Sequence, residues 1–102
     1  MATKTMQGLT PTITVTLSTS TDLTQAANIY PTIKQGGKVM RLTNFEFTAH
    51  QVDIYLTQAD TLELSPGAAE IQINWTYSDG QRAATVPKGM TISPNHLLEV
   101  LP

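Results

Sequence analysis

From Ala69 to Tyr77 the chain alternates without a break: Ala69, Ile71, Ile73, Trp75 and Tyr77 are apolar or aromatic, while Glu70, Gln72, Asn74 and Thr76 are polar. A period of two fits an extended strand, because successive strand side chains point to opposite faces, whereas a helix repeats every 3.6 residues. A strand of this length with one apolar face must bury that face, so it is expected at the centre of a sheet packed against a second layer. The same pattern recurs twice. Thr12–Leu17 places Ile13, Val15 and Leu17 on one side and three threonines on the other, and Gln51–Leu56 turns Val52, Ile54 and Leu56 inward with Asp53 and Tyr55 outward. Threonine suits the wet side, since its stiff, β-branched χ1 fits a pleated surface. The chain holds seventeen threonines and only 14% charged residues, where an ordinary domain carries roughly a quarter.

The segments between these strands carry turn chemistry. Ser18–Asp22 is rich in residues that hydrogen-bond their own backbone. Asn28–Gln35 reads as a strand with Ile29 and Ile33 on one face and Tyr30 on the other. Pro31 within it donates nothing to a ladder, which predicts an edge strand or a nitrogen turned to solvent. Gln35-Gly36-Gly37-Lys38 supplies a hairpin turn into a returning arm over Lys38–Leu42. Thr43–Thr48 reads as a short strand or as a loop pinned to the core by Phe45 and Phe47. Thr57-Gln58-Ala59-Asp60 has the form of a capping box opening one short helical turn, with Asp in the place usually held by Glu or Gln. Asp79-Gly80 is a hairpin signal that returns the chain into Arg82–Val86. Met90–Ile92 is a further short segment, and Leu97–Leu101 closes as a last strand or a docked tail. The first eleven residues show no periodicity and read as a flexible N-terminal arm, leaving a single domain over 12–102. The whole is expected to be an all-β, antiparallel β-sandwich of about seven strands with one short helical turn.

Several function classes lack their residues. Six Lys and Arg without clustering, at a net charge of −2, give no footprint for nucleic acid. No apolar run approaches the roughly 20 residues of a membrane span, and the first residues do not read as a secretory signal. Without cysteine there is no disulfide, thiolate metal site or thiol nucleophile. His50 and His96 fall in separate loops without metal-ligand spacing, and the eight carboxylates fall at turns or on wet faces. A carboxylate hydrolase would need two of them across a cleft. No nucleophile elbow or phosphate loop is present. Asn74-Trp75-Thr76 matches a glycosylation pattern but lies within a strand, and Trp75 is placed as an anchor of the core. The reading is therefore of a non-enzyme needing no cofactor or metal. Tyr30 and Tyr55, on the outward sides of their strands, are the best-placed contact residues, since tyrosine loses little rotamer freedom on binding.

The chain also resembles a family of roughly hundred-residue proteins encoded by phages and prophages of Gram-positive gut bacteria, itself similar to the N-terminal domain of siphophage upper baseplate proteins. The residues that carry this are Gln7-Gly8-Leu9-Thr10-Pro11-Thr12, Asp22-Leu23-Thr24, Ile33-Lys34-Gln35-Gly36-Gly37, Ile54 to Leu62, Glu70-Ile71-Gln72-Ile73, Asp79-Gly80 and Leu98-Glu99-Val100-Leu101. Leu56-Thr57-Gln58-Ala59-Asp60-Thr61-Leu62 is the most specific of them. The resemblance departs at Pro31 and over Arg82–Lys88. It implies an immunoglobulin-like sandwich and a multi-copy virion component, made in the bacterial host cytoplasm. Such a component would act as an adaptor or decoration module on other phage structural proteins of a tail, baseplate or head. A carbohydrate-binding module recognising a host-surface glycan is the alternative. In the adaptor reading the leader residues Thr3, Lys4, Thr5 and Met6 would lie on a neighbour, ordering as they bind.

Overall fold

The alternating segments become the strands whose apolar halves meet in the core. A computed structural model describes residues 3–102 of the chain. Among these residues nine strands form in order: β1 (Thr3–Met6), β2 (Thr12–Thr16), β3 (Asn28–Gln35), β4 (Lys38–Arg41), β5 (Phe45–Thr48), β6 (Gln51–Tyr55), β7 (Gly67–Thr76), β8 (Arg82–Ala84) and β9 (Lys88–Ser93). A 3₁₀ turn (Leu23–Gln25) precedes β3, and a one-turn helix α1 (Gln58–Leu62) joins β6 to β7. The large sheet runs β1-β9-β7-β3-β4 with β8 also on β7, and the small sheet runs β2-β6-β5. This is an immunoglobulin-like order: β2, β6 and β5 stand as the B, E and D strands, β3 and β7 as C and F, β8 with β9 as G, and β4 as C′.

The core lies between the sheets. Ile13 and Val15 from β2, Val52 and Ile54 from β6, and Ile33, Ile71, Ile73, Trp75, Met90 and Ile92 from the large sheet are all buried. Alternation on β2, β6 and β7 holds residue for residue, so the apolar positions of three sequence-distant segments converge on one cluster. Two hairpins form where glycine was expected to allow them. Gly36 at φ +59° turns β3 into β4 with Gln35 opposite Lys38, and Gly80 at φ +89° turns β7 into β8. The capping box at α1 is complete: the Thr57 hydroxyl accepts from the Asp60 amide at 3.2 Å, and the Asp60 carboxylate accepts from the Thr57 amide at 2.9 Å.

Three expectations are corrected and one pair of alternatives is decided. Residues 3–6, within the segment expected to be a flexible arm, form β1, paired in parallel with β9 from Thr3 opposite Met90 to Met6 opposite Ser93. The sandwich therefore begins before residue 12 and is not wholly antiparallel; residues 1 and 2 lie outside the described residues. Among the described residues the strand number is nine rather than about seven, because β1 was unread and because Phe45–Thr48, left as strand or loop, and the short segment around Met90–Ile92 both pair as strands. Residues 85–87 bulge between β8 and β9, and there the Thr85 hydroxyl takes the Ile73 amide at 3.0 Å. The Pro31 strand is not an edge, since β3 lies between β7 and β4. The Pro31 carbonyl accepts from Leu42 beyond the last residue of β4. Its nitrogen points the same way, so the missing donor falls where that ladder ends. Of the two alternatives for Leu97–Leu101, the docked tail holds and the strand does not. The tail is tied down by Gln58, whose side chain donates to the Leu101 carbonyl at 2.8 Å and accepts from its amide at 2.7 Å.

Candidate functional site

The structure buries one of the expected contact residues, Thr5, and places Lys4, Met6, Tyr30 and Tyr55 on two opposite faces of the sandwich. On β1 the side chains alternate, so Lys4 and Met6 are exposed while Thr5 is turned inward and buried; β1 holds Thr3 by its backbone pairing with Met90. Gln7, just beyond β1, is buried too, and its side-chain amide donates to the Leu64 carbonyl at 2.8 Å. Tyr30 lies on the outer face of the same large sheet as Lys4, yet far from it. Lys4 is level with Thr91 and hence Ala68, whereas Tyr30 is level with Asn74, about 20 Å further along β7 at the usual rise per residue. Tyr55 lies on the outer face of the small sheet. Both tyrosines are half-buried rather than fully exposed.

Around Tyr30 the outer face forms a concavity of about 220 Å³ lined by Tyr30, Thr32, Arg41, Asn74, Thr76 and Arg82. Six positions from four strands meet here because β4, β3, β7 and β8 are neighbours in the sheet. The Arg41 guanidinium stands 4.6 Å from the Tyr30 ring centroid, a cation–π contact. Arg82 donates from Nε and Nη2 to the Asn74 side-chain oxygen at 3.3 and 3.1 Å. Among the described residues neither arginine is in an ion pair; the ion pair found there joins Lys38 to Glu63 at 2.8 Å. That pair holds the Glu63 carboxyl below its ordinary value, first through the hydrogen bond and then through the lysine charge.

Around Tyr55 the chemistry has the opposite sign. Its hydroxyl donates to Glu46 at 3.1 Å. Glu46 and Asp53 are directly opposite in the β5–β6 register, and Asp53 accepts from the Thr14 hydroxyl at 2.8 Å and the Gln51 amide at 3.0 Å. The hydrogen bond to Glu46, then desolvation and the charges of Glu46 and Asp53, push the Tyr55 hydroxyl above its ordinary 10.0. No Lys or Arg occurs on β2, β5 or β6.

Other candidates have structural roles. Asp22 caps the 3₁₀ turn, and its hydrogen bonds from Thr24 hold it below its ordinary value. Asp60 caps α1, and Asp79 accepts from the Gln81 amide. His50 bonds the Thr21 carbonyl through Nδ1 in the turn between β5 and β6, and the exposed His96 lies in the C-terminal segment. No group of three or more His, Asp or Glu able to hold a metal occurs among the described residues. Trp75 is buried as the core anchor, its indole N–H donating to the Tyr77 hydroxyl at 3.0 Å. The Glu46–Asp53 pair sits on an open sheet face rather than across a cleft, unlike the carboxylates of a glycosidase. The convergence of Arg41 and Arg82 on Tyr30 was missed by sequence reasoning; only the strand register brings positions 30, 41, 74 and 82 together. Compared with known proteins, the chain matches no family model and no curated protein.

Proposed function

We propose that this chain is a non-enzymatic structural module of a bacteriophage particle. It is present in many copies and docks on a larger tail, baseplate or head assembly through protein–protein contacts. The phage assignment rests on the sequence resemblance. The docking assignment rests on one observation, the sorting of charge between the two sheet faces. Lys4, Lys34, Arg41 and Arg82 stand on the outer face of the large sheet with Glu70 as the carboxylate among them, and Glu46 and Asp53 stand on the small sheet without a cation on its strands. Sorted charge of this kind steers encounter and fixes orientation more than it adds raw affinity. The threonines on the outward side of β2 leave the rest of that face uncharged, so covering it desolvates few ions. Mass spectrometry of purified particles tests the reading: the protein is expected at many copies per particle, and Arg41→Glu with Arg82→Glu is expected to deplete it. A particle fraction lacking the protein overturns it. The glycan-binding alternative has less support, because Arg41 covers the Tyr30 ring face on which a sugar would stack.

A further inference from the structure

We propose that copies of this chain associate head to tail, the Glu46–Asp53 pair of one copy seating against the Arg41–Arg82 concavity of the next. The inference rests on reading the two faces as docking surfaces and names what each face takes. On the large sheet, Lys34 stands directly opposite Glu70, so its charge is offset within the face. Arg41 and Arg82 have no such neighbour. Arg41 donates no hydrogen bond among the described residues, and Arg82 directs only its Nε and Nη2 side to Asn74. Two guanidinium groups, each already positioned, thus line one concavity with unused donors, and the planar guanidinium fork matches the geometry of a carboxylate.

The small sheet supplies that partner. Glu46 and Asp53 face each other across β5 and β6, at a cross-strand separation of about 5 Å where like charges destabilise the sheet. Within one copy no cation on these strands relieves this, and the arginines of a second copy would. Each carboxylate keeps lone pairs free beyond those taken by Tyr55, Thr14 and Gln51. The concavity, about 220 Å³ and open to solvent, leaves both guanidinium groups accessible to an incoming carboxylate.

Geometry sets the kind of assembly. The basic and acidic surfaces lie on opposite sides of one sandwich, so the contact joins unlike patches. Such a heterologous contact builds rings or open filaments, not a two-fold dimer. It is also weak. Three strands of about five residues span roughly 14 by 17 Å, or about 240 Å² in projection, far below the ~800 Å² per partner of a stable complex. Association belongs to high local concentration, as when many copies are held on one scaffold.

The test uses sedimentation velocity on the full chain with two conservative double variants. One lacks the basic surface (Arg41→Gln with Arg82→Gln), and the other lacks the acidic one (Glu46→Gln with Asp53→Asn). Wild type is expected to grow beyond a dimer as concentration rises. Each variant alone should stay monomeric, and an equal mixture should form a one-to-one pair that goes no further, because each has only one working surface. Independently of any variant, wild-type association should weaken at least about tenfold between roughly 0.05 and 0.5 M salt. A wild type that stays monomeric, a variant that associates as wild type does, or association indifferent to salt would each overturn the proposal. If the monomeric result is found while the protein is still incorporated in particles, the head-to-tail contact fails and the docking reading stands.

Discussion

Replacing Gln7 with alanine is the sharpest way to ask whether the first strand belongs to the folded unit. In the structure Gln7 is 8% exposed. Its side chain donates to Leu64 at 2.8 Å and accepts, at a longer 3.4 Å, from the Asn95 amide. Its backbone also bonds Ser93 and Asn95, and these contacts survive the substitution. The variant therefore loses one good buried hydrogen bond and one weak one, and leaves the Leu64 carbonyl without this donor. A stranded buried polar group costs about 1–3 kcal/mol, so the expected loss is about 2 kcal/mol. A domain of this size has roughly 5–15 kcal/mol in total. In urea, with a slope of about 1–3 kcal/mol per molar, the midpoint should fall by about 1 M, and the melting temperature by about 8–16 °C. Tryptophan fluorescence follows the transition through Trp75, and Lys4→Ala on the exposed side of the same strand should stay within about 0.5 kcal/mol of wild type. A loss below about 0.5 kcal/mol for Gln7→Ala would show that β1 unfolds apart from the rest, and the reasoning about the leader would be refuted.

Three further outcomes follow from neighbouring features. The Thr5 hydroxyl is buried without a hydrogen-bond partner among the described residues, so the nearly isosteric Thr5→Val should stabilise the domain by about 1 kcal/mol in the same urea assay; a destabilised variant would contradict the assignment. Glu46→Gln should lower the Tyr55 pKa toward its ordinary 10.0, read from the ring resonances in an NMR titration, since the hydrogen bond and charge of Glu46 are what raise it; an unmoved titration would count against the contact. Because Lys38 depresses Glu63, the native state favours the ionised carboxylate, and the linked stability is present above about pH 4.5 and lost as pH falls through the lower folded value. Denaturation curves should show wild type losing its advantage over Glu63→Gln across that acidic window, and a constant difference would remove the ion pair from the account.

The strands that could be read from the sequence are those whose buried side is apolar. Ile13 and Val15, Val52 and Ile54, and the Ala69–Trp75 run satisfied both periodicity and burial, because nothing else was needed to place them. β1 was invisible for the complementary reason. Its inward positions and their continuation are Thr5 and Gln7, polar residues whose place is set by the parallel ladder to β9 and by hydrogen bonds to residues 57 and 88 positions away in the chain. Hydropathy carries no trace of such bonds. The hairpins and the capping box were legible because their chemistry is local, within four residues. Tyr30 and Tyr55 were found as outward-facing side chains, but the arginines at one and the carboxylates at the other were not. Their neighbours come from adjacent strands, and register is a property of the whole sheet.

The parallel pairing of β1 with β9 gives the molecule a mechanical character. The chain enters at the start of β1 and leaves beyond the end of β9, and the two strands point the same way. Force pulling the two ends apart therefore slides one strand along the other, loading all the rungs from Thr3–Met90 to Met6–Ser93 together instead of peeling them in turn. The Gln58 bonds to Leu101 would yield first and let the tail straighten, after which the ladder takes the load in shear. A protein tethered by both ends within a larger body would hold its shape under tension until that short ladder failed at once.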